Sequence, residues 1–287
     1  MRRKETHLNL CLVLLHKKDL FSIKTTPAKY HSISKPRRKT MKTRTSIKII
    51  LFLIISSMSI CILAYLLGTL YLPSRNDLQA SSNVEKDSVT VIIDAGHGGE
   101  DGGASSVSGL VEKDVNLDIS LNLFYMLSSC GVKVIMTRTD DRLLYDRNVD
   151  FQGRKKKLDL AARLTVANDT DNAIFISIHM NSYTNPKYSG LQVWYSQNEP
   201  SSYTLAELIQ TNNRKYLQPY NNRKTKAATS AINLLHNATC PAVLVECGFL
   251  SNPDEAALFE TEEYKQKVAF ILFSSIMEYL NEKSSAS

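Results

Sequence analysis

Cysteine is scarce and unpatterned in this chain. Cys11, Cys61, Cys130, Cys240 and Cys247 are the only five in 287 residues, the count is odd, and no two form a CxxC pair. A disulfide framework is therefore not expected in a domain of this size. Cys240 and Cys247 flank one expected strand and would pair only across a distorted backbone. All five read as small apolar fillers. No HExxH stretch is present, which excludes a thermolysin-type arrangement. The turn Gly96-His97-Gly98-Gly99-Glu100-Asp101-Gly102-Gly103 is not a phosphate loop either. GxGxxG counted from Gly96 would need glycine where Asp101 stands, and no GK[ST] follows. Internal repeats are also absent.

Basic charge is lacking over most of the length, despite a net charge of +7. Residues 1–48 carry 14 Lys/Arg against 2 Asp/Glu, whereas the remaining 239 residues carry 21 against 26. The folded part is mildly acidic and shows no basic stripe, so nucleic acid is not expected as a partner.

One long stretch lacks charge altogether. Ile49 to Ser74 contains no Asp, Glu, Lys or Arg, and its apolar core, 49–72, is 24 residues long. About 20 apolar residues suffice to cross a bilayer, and core helices are rarely apolar all round for so long. Lys35, Arg37, Arg38, Lys39, Lys42, Arg44 and Lys48 crowd its amino-terminal side, which by the positive-inside rule puts the tail in the cytoplasm and the folded part outside. The stretch is longer than a signal-peptide core and no clean small-x-small site follows it, so a retained anchor is favoured over a cleaved signal. Met41-Lys42-Thr43-Arg44 would make an ordinary start for such an anchor; residues 1–40 then read as untranslated or disordered.

The expected organisation is a basic cytoplasmic tail (1–48), a transmembrane anchor (49–72), a polar linker (73–88), one folded domain (89–282) and a frayed tail (283–287). Within the domain, β-branched apolar runs alternate with helix-like segments. Strands are expected at 89–94, 132–137, 173–179, 191–195 and 242–246. Helices are expected at 114–129, 158–168, 203–217, from Asn252-Pro253 onward, and at 262–281. This alternation means a single three-layer α/β domain, its mixed or mostly parallel sheet covered by helices on both faces and preceded by one transmembrane helix.

Three titratable residues follow apolar strands: His97 after VIIDAG, His179 after AIFISI, and Glu246 after AVLV. Open α/β sheets place their sites at the carboxyl ends of strands. Each residue alone has a bland reading. A single strand-end histidine is more often a structural group than a ligand, and Glu112 would suit a helix start simply by favouring the dipole. Together with Glu112, however, they fit a catalytic zinc site: two neutral imidazoles and one carboxylate hold the metal, and a second carboxylate is left for proton transfer. The glycines around His97 let the backbone fold tightly beside a metal and a bulky substrate.

These residues lie in four ordered motifs. IIDAGHGGEDGGA, VEKDVNL, ISIHMNS and PAVLVECGFLSNPDEA together closely resemble the zinc-dependent amidase-3 family of N-acetylmuramoyl-L-alanine amidases, over about Val89 to Leu280. The resemblance implies His97, Glu112 and His179 as Zn2+ ligands and Glu246 as the catalytic carboxylate. It suggests Asn181 and Arg163 as substrate-contacting or supporting residues. Cys247, directly after Glu246, departs from the small or apolar residue often found there. The implied reaction is hydrolysis of the amide bond between N-acetylmuramic acid and L-alanine of the peptidoglycan stem peptide. Within the family, the single anchor and the basic stretch before LDLAARLTVAN look most like the sporulation amidases that act on spore cortex, where muramic δ-lactam forms. The expected location is thus the cell-wall side of the membrane or the forespore intermembrane space, with peptidoglycan and the membrane as partners. An accessory activator protein stays open. Between Ser196 and Pro241 there is little room for a long autoinhibitory insertion. Other readings stand beside this one: a vegetative autolysin for cell separation, a zinc peptidase cutting within the stem peptide, or a catalytically silent wall-binding module.

Overall fold

The computed structural model describes residues 51–59, 62, 88–146, 148 and 152–286. Residues 51–59 are helical, by themselves. The rest of the expected anchor, the basic tail and most of the linker lie outside the described residues. Among those described, no helix is long and apolar enough to cross a membrane.

Among the described residues the domain contains six strands and six helices in the order β1 (Thr90–Ala95), α1 (Glu112–Ser129), β2 (Lys133–Met136), α2 (Lys155–Asn168), β3 (Ala173–Asn181), β4 (Gln192–Tyr195), α3 (Ser201–Tyr216), β5 (Lys226–Ala227), α4 (Asn233–Asn237), β6 (Ala242–Phe249), α5 (Pro253–Phe259) and α6 (Glu262–Ala286). One sheet holds the strands in the order β2-β1-β3-β6-β4-β5. β2, β1, β3 and β6 run parallel, β4 is antiparallel to β6, and β5 is parallel to β4. The sheet is mixed, as expected.

The central strands are apolar on both faces because both faces are covered. All six residues of β1 are buried. Val91, Ile93, Ile174, Ile176, Val243 and Val245 pack with α1, α3 and α6, which carry Ile119, Leu123, Leu205, Ile209, Val268 and Leu272. On the other face Ile92, Phe175, Ala242 and Leu244 pack with Ala167 of α2 and Leu234 and Leu235 of α4. Full burial of each such Leu, Ile or Phe is worth roughly 1.5–3 kcal/mol, so the three-layer sandwich is the only arrangement that hides both stripes.

The chain leaves β1 through α1 on one face and returns through α2 on the other, so β2 and β3 flank β1 on opposite sides. That reversal makes the carboxyl ends of β1 and β3 a topological switch point, where open α/β sheets bind ligands.

The strands expected to stop at His179 and Glu246 run further. β3 continues to Asn181 and β6 to Phe249. His179 pairs with Glu246 and Asn181 with Phe249, so β6 carries one extra residue there, a bulge. Helix α1 starts at Glu112 rather than Asp114, and α2 at Lys155 rather than Leu158. Asn252 caps α5 as expected, its side chain accepting from the Asp254 and Glu255 N–H groups. The two-residue β5 and five-residue α4 were not expected, being too short for any period to register.

Candidate metal centre

His97 stands two residues past β1 with φ 60°, in the left-handed region that non-glycine residues seldom occupy. Backbone strain of this kind concentrates at functional sites. Glu112 is the first residue of α1 and is buried; His179 lies near the end of β3. The switch point brings all three together. Their candidate ligand atoms lie within 4.8 Å of one another. Glu112 Oε1 is 3.2 Å from His97 Nε2 and 3.0 Å from His179 Nδ1.

Backbone donors fix the carboxylate between the rings. Ala104 N–H donates to Glu112 Oε2 (2.7 Å) and Met180 N–H to Oε1 (3.0 Å). Burial alone would raise the Glu112 pKa, but the hydrogen bonds and charges of His179 and His97 outweigh it and hold the carboxyl well below the carboxylate range. His97 is pulled both ways. Burial lowers its pKa, and Glu112 and Asp101 raise it by more. His97 Nδ1 is 2.9 Å from Asp101 Oδ2, close enough for a charge contact although not aligned as a hydrogen bond.

Two glycines keep the centre open. A Cβ on Gly96 would lie 2.3 Å from the His179 ring, and one on Gly103 would lie 2.4 Å from Glu112 Oε2 and 2.8 Å from the His97 ring. Two imidazoles, one carboxylate and this cleared space fit a catalytic zinc ion, whose donor set is of this kind.

Glu246 is the register partner of His179 on β6, so the two side chains leave the same face of the sheet. Its Oε2 is inaccessible and has no hydrogen-bond partner among the described residues. Burial, assisted by the negative charge of Glu112 and opposed by His179 and His97, pushes its pKa up to about 7. A carboxyl poised near neutrality beside two imidazoles and a second carboxylate suits proton transfer in either direction.

Beneath the loop lies a layer of buried arginines. Arg163 pairs with Asp94 at 2.5 Å, with at most 2% of either side chain exposed, and with Asp159 at 2.7 Å. It also donates to the carbonyls of Ala95 and His97. Arg138 donates to those of Ala95, Gly96 and Lys113. Asp94 accepts further bonds from Thr137 and Ser177. Burial would raise its pKa, yet Arg163 and these hydroxyls hold it below the usual aspartate range.

Residues 91–278 match the model of the family described as Amidase_3, N-acetylmuramoyl-L-alanine amidase. The chain belongs to this family. It is an N-acetylmuramoyl-L-alanine amidase. The germination-specific N-acetylmuramoyl-L-alanine amidase of Bacillus subtilis (strain 168) is 35% identical over 229 residues, covering 77% of this chain and 95% of that protein. Among solved structures, the CwlD amidase of Clostridioides difficile, in complex with the GerS lipoprotein, is 37% identical with a TM-score of 0.63, over 67% of this chain and 98% of that one. An N-acetylmuramoyl-L-alanine amidase of Clostridium difficile 630 is 30% identical with a TM-score of 0.59, over 69% and 99%.

Of the residues picked out in the amidase sequence, His97, Glu112, His179 and Glu246 meet at one edge of the sheet. Arg163 is 1% exposed and tied to Asp94, Asp159 and two loop carbonyls, so its guanidinium is fully engaged beneath the loop. Asn181, partly buried, ends β3, where its carbonyl accepts the Leu250 N–H. Cys247 is fully buried in the core, and burial pushes its thiol pKa far up, so it packs. Cys240 is likewise a free thiol among the described residues. Asp94, Asp101 and Arg138 are not picked out by sequence. The signal for Asp94 is a carboxylate closing an otherwise apolar strand, which burial permits only with a partner.

Proposed function

We propose that this amidase is zinc-dependent, that His97, Glu112 and His179 hold the ion, and that Glu246 is its acid–base group. The observation that carries the reading is the convergence of two imidazoles and a carboxylate within 4.8 Å, with the half-buried Glu246 beside His179. Zinc, when bound, supplies Lewis acidity, lowering the pKa of water to about 7 and polarising the scissile carbonyl. The chain's own residues supply the rest. Glu246 takes a proton from the attacking water and returns one to the departing amine of L-alanine. Glu112 is fixed in place by the Ala104 and Met180 N–H groups, ready to bind a cation. Arg163 and Arg138 fix the loop carbonyls so that His97 keeps its orientation.

The wider role proposed is maturation of spore cortex, with muramic δ-lactam formation following removal of the stem peptide. The germination-specific relative, matched over 95% of its length, supports it. An accessory protein fits the same picture, since the CwlD structure contains a lipoprotein partner. Residues 49–72, long and uncharged behind a basic flank, support a single-pass anchor that keeps the domain outside the cytoplasm.

The test is digestion of purified cortex and vegetative peptidoglycan with and without a zinc chelator, products being identified by mass. Intact stem peptides, released faster from cortex and only in the presence of metal, are expected. Cuts inside the stem peptide would point instead to a peptidase, and faster digestion of vegetative wall to an autolysin.

A further inference from the structure

Beyond the ligands and the acid–base group, Arg223 stands beside the strand neighbour of Glu246 and has no ion-pair partner among the described residues. Gln192 of β4 is the antiparallel register partner of Glu246, so their side chains share a face and stand side by side. Arg223 Nη1 donates to Gln192 Oε1 (3.3 Å), and Arg223 Nε to the Ser189 carbonyl (2.7 Å). The guanidinium lies 4.6 Å over the Phe249 ring and 6.0 Å from that of Tyr188. Its backbone is pinned by Asn221 and Arg214. The group is half-buried and preoriented, yet no carboxylate among the described residues lies within salt-bridge distance. Glu255 is near enough to feel its charge, but both Glu255 oxygens are taken by the Gly190 and Phe249 N–H groups. Arg223 Nη2 has no acceptor among the described residues.

A fixed, unpaired guanidinium, with one face on an aromatic ring and a donor edge free, is built for a carboxylate. The substrate offers one only on its peptide arm. The glycan is uncharged here, because the muramic carboxyl is consumed in the scissile amide. The second stem residue is a D-glutamate joined through its γ-carboxyl, which leaves an α-carboxylate free. Two residues of extended chain cover about 7 Å, and neighbouring strands lie about 4.8 Å apart. A peptide leaving Glu246 across Gln192 thus brings that carboxylate to Arg223. We propose that Arg223 is a specificity residue that binds the α-carboxylate of the second stem residue and sets the direction of the peptide arm across β4. This rests on the reading of Glu246 as the reacting centre.

The test compares two muramoyl tripeptides that differ only at the second residue, D-glutamate or its α-carboxamide D-isoglutamine. With wild-type holoenzyme the carboxylate substrate is expected to have the higher kcat/KM by about 10- to 100-fold, the range for one charge-assisted hydrogen-bonded contact. In Arg223→Gln the two substrates should come within about twofold of each other, and Arg223→Lys should recover part of the preference. Equal rates on both substrates in the wild type overturn the proposal. So does an Arg223→Gln enzyme that loses rate on both alike and keeps its preference, since that marks a purely structural arginine. The free stem tripeptides, titrated into the same protein, read the contact without chemistry. If neither muramoyl substrate is cleaved, the assignment of the reacting centre fails, while tighter binding of the carboxylate tripeptide still supports Arg223 as its anchor.

Discussion

His179 and Glu246 are direct neighbours across two parallel strands, and the ladder bulges immediately after them. The pairing sets a candidate metal ligand and a half-buried carboxyl side by side without a loop between them. Bulges recur next to active sites because one extra residue re-aims the next side chains without unzipping the sheet.

Removal of the Glu246 carboxylate should separate chemistry from metal binding. Glu246→Gln keeps size and shape, so zinc content by elemental analysis should match wild type. Release of stem peptide from muropeptide should fall by about 10²–10⁴-fold. A variant that cleaves at the wild-type rate would exclude Glu246 as the acid–base group.

Metal uptake should expel a proton. Burial disfavours the charge of Glu246 and pushes its pKa up to about 7, above its ordinary value of 4.5. A cation nearby favours the carboxylate and returns the pKa downward. Between about pH 5 and 7, calorimetric titrations in buffers of different ionisation enthalpy should therefore show more protons released by wild type than by Glu246→Gln. Above about pH 8 the two should agree. Identical proton release across the whole range would mean that Glu246 does not sense the ion.

The ligands and their clearance should fail differently from Glu246. His97→Ala and His179→Ala should lose zinc and activity together. Gly103→Ala, whose new methyl would meet Glu112 Oε2 at 2.4 Å, should lower zinc affinity although it removes no ligand. Unchanged affinity in Gly103→Ala would show that Glu112 does not hold the ion from its observed position.

How much of the fold and the site is legible in the sequence depends on the range of the interactions. The long strands and helices can be read from their periods, and His97, Glu112, His179 and Glu246 from the motifs they sit in. The continuation of β3 to Asn181 and of β6 to Phe249 is not legible, because a bulge is a property of two strands that meet only in the fold. Nor can the sequence tell that Arg163 lies buried under the loop. That placement depends on Asp94, 69 positions away in the chain. The short β5 and α4 carry too few residues to show a pattern.

The Arg163–Asp94 pair predicts a stability effect. Arg163→Met would leave Asp94 buried and uncompensated at a cost of about 3–5 kcal/mol, lowering Tm by roughly 6–20 °C for a domain of this size. The sign with pH comes from the depressed Asp94 pKa. Its contribution is fully present above the unfolded value near 3.9 and is lost as pH falls through the lower folded value. Chemical denaturation between about pH 2 and 5 should show a shallower acid loss in Asp94→Asn than in wild type. Parallel acid limbs would exclude Asp94 as a contributor.

The carbonyls of Ala95, Gly96 and His97 are gripped from below by Arg138 and Arg163, groups that never meet the metal. The curve of the loop is thus held by protein groups alone. If the centre takes zinc as proposed, folding and arming are separate events: the chain can fold complete but inert, and begin to cut only where the ion is supplied. Chelation, by the same reasoning, disarms the enzyme without dismantling it.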